Sequence, residues 1–303
     1  MKTAICSQQR LGFMAIAIST LLFSLKGVLV KKSYSYGIEP VTLMTLRMLM
    51  AFPLFVTTAL VIRYRNKKYN YQAITIKEWC LIGCLAIMGY YLANFFDLIG
   101  LQYVSAGMER LVLYLNPSFV IILSAIFLKE KMEKSLLLPF FLCYGGITMT
   151  FMNDMNISGS GGLFGMFMVA MAALCFAVFL IGNKSLLKKI GPVSLASYGM
   201  LISSGAILIH FMIKGGGIHS LKVHNHIYLY TLFMAIFSTF FPVFLMTWGL
   251  KLISASRVSV IGSMGPVVTI IISWFVLNES LVPAQIAGIA LVMAGGIFLG
   301  IKK

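Results

Sequence analysis

Gly100–Met132 reads GLQYVSAGMERLVLYLNPSFVIILSAIFLKEKM, and Gly249–Leu281 reads GLKLISASRVSVIGSMGPVVTIIISWFVLNESL. Aligned without a gap, the two stretches share 10 of 33 residues, including a proline near the middle and a glutamate near the end. Both are strongly apolar, and each exceeds the roughly 20 residues with which a helix crosses a bilayer. A chain that repeats a membrane-crossing unit is typical of transporters, in which two halves rock about a site between them.

The composition points to a membrane protein. Of 303 residues, 60% are hydrophobic and 11% are charged, whereas a soluble domain carries about 25% charged residues. The net charge of +16 is explained by basic loops on the cytoplasmic side of a membrane. We therefore expect the lipid bilayer, and no nucleic acid, as a partner.

The sequence contains none of the familiar motifs for a cofactor or a metal. It has no Walker loop, no HExxH, no GxSxG and no dinucleotide fingerprint, and its five cysteines form no CxxC pair. ATP-driven transport by this chain alone is therefore not expected. We predict no cofactor and no metal, and the cysteines are interpreted as small apolar residues.

Ten apolar runs are long enough to cross a bilayer as helices. The breaks between them are short and are rich in glycine and proline, so no loop could house a soluble domain. The first run is longer than the core of a signal peptide and is interpreted as a retained span. The runs cover 11–30, 41–62, 78–99, 104–128, 135–152, 163–182, 193–213, 227–249, 256–277 and 281–301.

The distribution of lysine and arginine supports this count. With the N-terminus in the cytoplasm, ten spans place 17 basic residues inside and 4 outside, as the positive-inside rule requires. A missed or an invented span would scramble the distribution. We therefore predict ten transmembrane helices with both termini in the cytoplasm.

The repeat determines how the two halves are oriented. One transmembrane domain over 1–303 divides into a first repeat over 11–152 and a second over 163–301, with five spans each. An odd number of spans per half forces the halves to cross the membrane in opposite senses. The prediction is an all-α integral membrane protein built from two inverted five-helix repeats, an arrangement shared by many secondary transporters.

This organisation resembles the EamA branch of the drug/metabolite transporter superfamily. The resemblance covers nearly the whole chain and depends on the repeated GL-x₃-SA…P…S…L-x-E pattern, closed by KEK at 129–131 and NES at 278–280. It implies a multi-pass carrier of the inner membrane that exports amino acids or other small metabolites. It also implies a central cavity lined by spans 1, 3, 4, 6, 8 and 9.

Each repeat carries a proline at a matching place in its fourth span, Pro117 and Pro266. Proline removes a helical hydrogen bond and kinks or opens the helix. In a bilayer, a freed carbonyl must find a partner or face a water-filled cavity. We predict two helix kinks beside the cavity, although proline is also tolerated in membrane helices without a function.

Five charged residues lie inside the apolar spans of the first half, where each costs at least about 2.5–3.5 kcal/mol at a helix centre. The topology puts all five towards the outer part of the membrane, so they could meet. They are Lys26, Arg47, Asp97, Glu109 and Arg110.

Three interpretations of these charges remain open. They could form a structural network that closes the outer side, or snorkel to the interface, as Lys26 and Asp97 could. They could also be the substrate and proton site. In that case Arg47 or Arg110 would bind a carboxylate on the solute, and Glu109 or Asp97 would take the proton.

Uncharged polar residues extend this candidate site. Tyr90, Asn94 and Asp97 follow helical spacing and are expected on one face of span 3. Span 4 adds two polar residues, and the second half offers milder candidates on spans 8 and 9. These are Tyr114, Asn116, Trp248, Ser259 and Ser263.

The expected function is secondary-active transport of a small metabolite by alternating access, driven by protons or by exchange. A flippase for a lipid-linked sugar or amine is an alternative, and an integral membrane enzyme is a weaker one. Gly296 and Gly300 form a GxxxG pair, which fits either packing within the chain or a homo-oligomer.

Overall fold

The computed structural model describes residues 2–68, 74–127, 138, 141–142, 144–149, 161–252, 261, 265–278 and 283–301, and within these residues it is helical and contains no strand. The main helices are α1 (Lys2–Tyr34), α2 (Pro40–Lys68), α3 (Ile76–Ala86), α4 (Ala93–Tyr103), α5 (Ala106–Leu113), α6 (Asn116–Phe127), α7 (Gly162–Ile190), α8 (Pro192–Ile213), α9 (Asn225–Ala235), α10 (Phe241–Leu252), α11 (Gly265–Leu277) and α12 (Pro283–Ile301). A π-helical segment, Ile87–Leu92, joins α3 to α4, and another, Ile236–Phe240, joins α9 to α10. A short 3₁₀ helix, Ile218–Leu221, precedes α9.

The helices are long and apolar enough to span a membrane. Seven stretches meet that standard among the described residues, and two shorter apolar helices follow them. The prediction of an all-α integral membrane protein is confirmed. The count of ten spans and the cytoplasmic termini remain predictions, since much of the fifth span and the start of the ninth lie outside the described residues.

The first helix of the chain packs against a helix of the second half. The Ser19 hydroxyl donates to the Pro242 carbonyl at 2.9 Å, and the Ser238 hydroxyl donates to the Leu22 carbonyl at 3.1 Å. Further along, Gly249 lies against Ile16. Because residue numbers rise on one helix as they fall on the other, α1 is antiparallel to the helix formed by Ile236–Phe240 and α10.

The third span of the first half packs in the same way against α7. Gly182 lies against Leu85 at one end of this contact, and Gly100 lies against Gly165 and Val169 at the other. The Tyr34 hydroxyl at the end of α1 donates to the Leu98 carbonyl near the end of α4. The carboxyl ends of α1 and α4 therefore lie together, while their partners α10 and α7 run the opposite way, as inverted repeats require.

The two π-helical segments lie at matching places in the sequence. Ile87 and Ile236 are 149 residues apart, which is also the offset that aligns Gly100 with Gly249. A π-helical turn inserts an extra residue into a helix and often bends it, frequently at a functional site. The sequences IMGYYL and IFSTF contain no residue pattern that predicts a π-helical turn.

Span 4 is interrupted immediately before Pro117. The amides of Tyr114 and Leu115 donate to carbonyls three residues back, at 3.1 and 2.9 Å, before the chain resumes as α6. Pro117 is the second residue of α6, where a missing N–H costs little. Pro266 is likewise the second residue of α11, but residues 262–264 before that helix lie outside the described residues.

Candidate functional site

The five charges of the apolar spans, Lys26, Arg47, Asp97, Glu109 and Arg110, lie together in the fold and are called the charge cluster below. The Lys26 Nζ is 2.6 Å from the Asp97 Oδ2, which joins α1 to α4. Glu109 interacts electrostatically with Asp97, Lys26 and Arg110, and Arg47 interacts with Asp97. Side chains from α1, α2, α4 and α5 therefore converge on one region.

The start of α5 places Glu109 in this region. Ser105 caps the helix, because its hydroxyl accepts a hydrogen bond from the Met108 amide at 3.1 Å. Glu109 then falls in the first helical turn, where the positive end of the helix dipole favours a carboxylate. The cap therefore orients and partly stabilises a charge that would be costly elsewhere in the membrane.

Gly27 makes room for this carboxylate on α1. A Cβ atom at position 27 would lie 3.0 Å from the Glu109 Oε2 and 3.7 Å from the Ala106 Cβ. Few real Cβ atoms approach a neighbour so closely, so a side chain here would displace the carboxylate. Gly27 is thus a contact residue of the site that the sequence interpretation missed.

Arg110 fixes the other side of Glu109. Its guanidinium donates from Nη2 to the Phe23 carbonyl on α1, and its Nε lies 3.8 Å from the Glu109 Oε2. The guanidinium is therefore held between a backbone acceptor and the carboxylate, within reach of a ligand that enters the cluster.

Tyr34 is a second residue that sequence reasoning missed. Its hydroxyl donates to the Leu98 carbonyl at 2.7 Å, and it interacts electrostatically with both Asp97 and Arg47. Tyr34 lies eight residues after Lys26, which is about 2.2 turns, so it falls at the edge of the helix stripe that contains Lys26. Extending the face of Lys26 along α1 would have found it.

The cluster is buried but incompletely hydrogen-bonded. Arg47, Asp97 and Glu109 expose 3%, 2% and 0% of their surface. Among the described residues, the Asp97 Oδ1 and both carboxylate oxygens of Glu109 accept no hydrogen bond, and the Nε atoms of Arg47 and Arg110 donate none. Buried polar atoms are nearly always partnered, because leaving one unpaired costs about 1–3 kcal/mol. Such a group of atoms can accept protons, water or a charged solute.

The residues of the predicted polar face of span 3 contact different parts of the fold. Tyr90 lies within the π-helical segment and packs against Phe179 of α7, with ring centroids 4.7 Å apart, and against Gly199 of α8. Asp97, by contrast, meets α1. Asn94 lies half-buried between them on α4. The described contacts of Tyr90 are therefore with the second half rather than with the charge cluster.

The remaining predicted residues are spread over the fold. The Asn116 side-chain amide donates to the Ala173 carbonyl on α7 at 2.9 Å, and Tyr114 is half-buried in the turn before α6. Trp248 on α10 is 46% exposed. Ser259 and Ser263 lie outside the described residues.

Matching hydrogen bonds hold the proline-bearing helices of the two halves. Asn116 begins α6 and bonds to α7, as described above. Gly265 begins α11, and its carbonyl accepts from the Ser24 hydroxyl of α1 at 3.2 Å, while the Thr269 hydroxyl donates to the Ser24 carbonyl at 3.2 Å. Each proline-bearing helix is therefore hydrogen-bonded to the first helix of the opposite half.

Comparison with known proteins places the whole arrangement in a family. The family model of EamA-like transporters matches residues 10–152 and again residues 163–301. The chain belongs to the EamA-like transporter family. The resemblance drawn from the sequence is confirmed, and the protein is a multi-pass membrane transporter.

Similar proteins support the same assignment. The uncharacterized transporter YcbK of Bacillus subtilis (strain 168) is 27% identical over 95% of this chain and 90% of its own length. An uncharacterized transporter of Archaeoglobus fulgidus is 28% identical over 96% of this chain and 99% of its own. A crystal structure with 16% sequence identity shares the fold, with a TM-score of 0.65 over 97% of this chain and 96% of the other.

Proposed function

We propose that this EamA-like transporter exports a small organic solute, such as an amino acid, across the inner membrane by alternating access, with its charge cluster as the solute and proton site. One observation carries the proposal. Asp97 and Glu109 are buried side by side among three cations, and three of their four carboxylate oxygens accept no hydrogen bond from the residues that the structure describes.

The acidic pair supports a proton as the coupling ion. Two carboxylates that interact in a water-poor site cannot both carry a full charge cheaply, so a proton or a cation is favoured between them. Lys26 contacts Asp97 at 2.6 Å, whereas the Arg110 Nε lies 3.8 Å from the Glu109 Oε2, so Glu109 is the less tightly paired carboxylate. Glu109 is therefore the carboxylate proposed to take up and release the proton, and solute exchange without proton movement is the alternative.

The arrangement of charge suits a solute that carries both signs. An ammonium group could use the unpartnered oxygens of Asp97 and Glu109, while a carboxylate could use Arg47 or Arg110. Guanidinium groups bind carboxylates through two parallel hydrogen bonds. A zwitterion would thus satisfy both the acceptors and the donors that the protein leaves unpaired.

The packing between the halves supports alternating access. α1 carries Lys26 and also packs against α10 and α11 of the second half through hydrogen bonds of Ser19 and Ser24. If α1 moves with the second half, then the Lys26–Asp97 pair separates, and the cluster opens as the halves rock. The two π-helical segments lie in the third span of each half, which gives both halves a place to bend.

Transport by reconstituted protein tests the proposal. Purified full-length protein in proteoliposomes is assayed for uptake and efflux of a panel of amino acids and other small metabolites, with and without an imposed pH gradient. The wild type is expected to move at least one zwitterionic solute faster with the gradient. Glu109→Gln should abolish that acceleration, because the amide cannot carry the proton. Asp97→Asn should weaken it, because the Asp97 charge is what favours a proton on Glu109.

A matched control separates the site from general effects of charge. Glu39 is an exposed carboxylate in the connection between α1 and α2, so Glu39→Gln removes the same charge without touching the cluster and should retain gradient-driven transport. If Glu109→Gln and Asp97→Asn both keep the full response to the pH gradient, proton coupling through this pair is wrong.

A further inference from the structure

A second set of charged residues lies at the opposite end of the helices from the charge cluster. Arg63 is 16 residues beyond Arg47 on α2, which corresponds to about 24 Å along a helix. Trp79 precedes Asp97 by 18 residues, or about 27 Å. Both are therefore nearly a full hydrocarbon thickness from the cluster, at the other interface of the membrane.

Three helices bring basic and aromatic side chains together there. The ring of Trp79 on α3 lies against the ring of Tyr198 on α8, with centroids 5.0 Å apart. Arg63 on α2 interacts electrostatically with Tyr198, and Lys77 is exposed two residues before Trp79. These residues, with the exposed Arg65 two residues after Arg63 on α2, are called the basic-aromatic surface.

The described carboxylates do not neutralise the charges of this surface. Glu78 is the nearest carboxylate along the chain, and its Oε1 is paired with the Lys189 Nζ at 2.7 Å. Arg63, Arg65 and Lys77 make no ion pair within the part of the chain that the structure describes. An anionic group could therefore approach Arg63 beside Tyr198 without displacing an ion-pair partner among the described residues. Arg65 and Lys77 add exposed positive charge at the same end of the helices.

Apolar residues border the surface on its membrane side. Leu60 and Val61 lie one turn before Arg63 and Tyr64 on α2, and each is 58% exposed. Tyr64 is 72% exposed and Trp79 is 41% exposed. Exposed tryptophan and tyrosine at the end of an apolar helix are typical of the headgroup region of a bilayer. The ligand that fits has a negative headgroup and apolar tails.

We propose that the basic-aromatic surface is a binding site for the headgroup of an anionic phospholipid. Arg63 binds the phosphate oxygens through its guanidinium fork, Lys77 and Arg65 add positive charge, and the Tyr198 hydroxyl is within the same site. The acyl chains lie along Leu60 and Val61. Basic sites between helices at the cytoplasmic interface are a general means of binding anionic lipids, and this one joins helices of both halves.

Lipid binding to the full-length protein tests this proposal. Native mass spectrometry of detergent-purified protein measures the binding of phosphatidylglycerol and phosphatidylcholine with identical acyl chains. The wild type should prefer phosphatidylglycerol. Arg63→Gln should weaken its binding about fivefold, the factor that one basic residue near an anionic surface contributes, and Arg63→Lys should lose less.

Arg10→Gln is the matched control, because it removes an exposed arginine at the start of the membrane-crossing part of α1. It should leave the preference unchanged. Equal losses in Arg10→Gln and Arg63→Gln, or no loss in either, would overturn the proposal. Lys77→Gln supplies an independent test if Arg63→Gln is not monodisperse. Displacement of the bound lipid by glycerol phosphate would show a site for a soluble phosphate instead and would also overturn it.

Discussion

Replacing Lys26 with methionine tests whether the charge cluster is a coupled unit. Methionine keeps a long apolar side chain but removes the ammonium 2.6 Å from the Asp97 Oδ2. The Asp97 Oδ1 accepts no hydrogen bond from the described residues, so the substitution would leave a buried carboxylate without its ion pair to Lys26. Removing one partner of a buried ion pair typically costs about 3–5 kcal/mol. At about 2 °C per kcal/mol for a long chain, we expect the apparent Tm to fall by about 6–10 °C.

The double variant decides the interpretation. Lys26→Met with Asp97→Leu removes both charges, and replacing a buried pair by apolar residues of similar size is often close to neutral. We therefore expect the double variant to recover most of the lost stability, with a coupling energy of at least about 2 kcal/mol. Thermal unfolding is followed by intrinsic fluorescence in one detergent at a fixed scan rate. Lys222→Met, at an exposed lysine, is the control and should change little. If the losses of stability in Lys26→Met and in Asp97→Leu alone simply add up in the double variant, the reasoning is refuted.

Three further predictions concern helix packing in the protein. A Cβ atom at Gly146 would overlap a backbone carbonyl of α12, whereas a Cβ atom at Gly145 would meet nothing within 4 Å. Gly146→Ala should therefore lower the free energy of unfolding by about 1–3 kcal/mol, and Gly145→Ala should leave it unchanged. Equal Tm values for the two variants would contradict this packing. Asn116→Ala removes one hydrogen bond to α7 and should cost about 1 kcal/mol, measured by the same unfolding assay; an unchanged Tm would show that this bond contributes nothing. Gly27→Ala should lower the transport rate while the Tm stays close to that of the wild type, because the new methyl group presses on the Glu109 carboxylate. A normal transport rate would argue against a role for that carboxylate.

The sequence predicted the gathering of the charges because so few were available. In the predicted topology each lies within a few turns of the outer end of its apolar run, and charged side chains inside a membrane usually pair with one another. The specific pairing was left open. Snorkelling of Lys26 and Asp97 is one of the alternatives; the structure gives Asp97 only 2% exposure and a direct contact with Lys26, so its carboxylate is enclosed by protein.

The position of Tyr90 could not be predicted from periodicity. The spacing of Tyr90, Asn94 and Asp97 places them on one face only if the helix has 3.6 residues per turn throughout. The π-helical segment Ile87–Leu92 inserts an extra residue into that register, and Tyr90 packs against α7 and α8 instead. Nothing in an apolar run of common residues signals such a turn, because tertiary packing decides where it forms.

The roles of Gly27 and Tyr34 likewise depend on contacts between helices that are distant in sequence. Gly27 matters because α5 approaches it, and Tyr34 matters because α4 presents a carbonyl to its hydroxyl. The repeat of the two halves could be predicted from the sequence, because the duplicated stretch recurs at an offset of 149 residues. The packing of α1 on α10 and the packing of α3 and α4 on α7 are equivalent contacts under this repeat.

Direct measurement of proton movement tests the central claim. Proteoliposomes that contain a pH-sensitive dye are given an outward gradient of a transported solute, and no pH gradient is imposed. If the buried carboxylates carry protons with the solute cycle, the internal pH should change at a rate proportional to solute flux in the wild type and in Glu39→Gln. Glu109→Gln should move solute, if at all, without that change. A wild-type solute flux with no pH change would contradict the account.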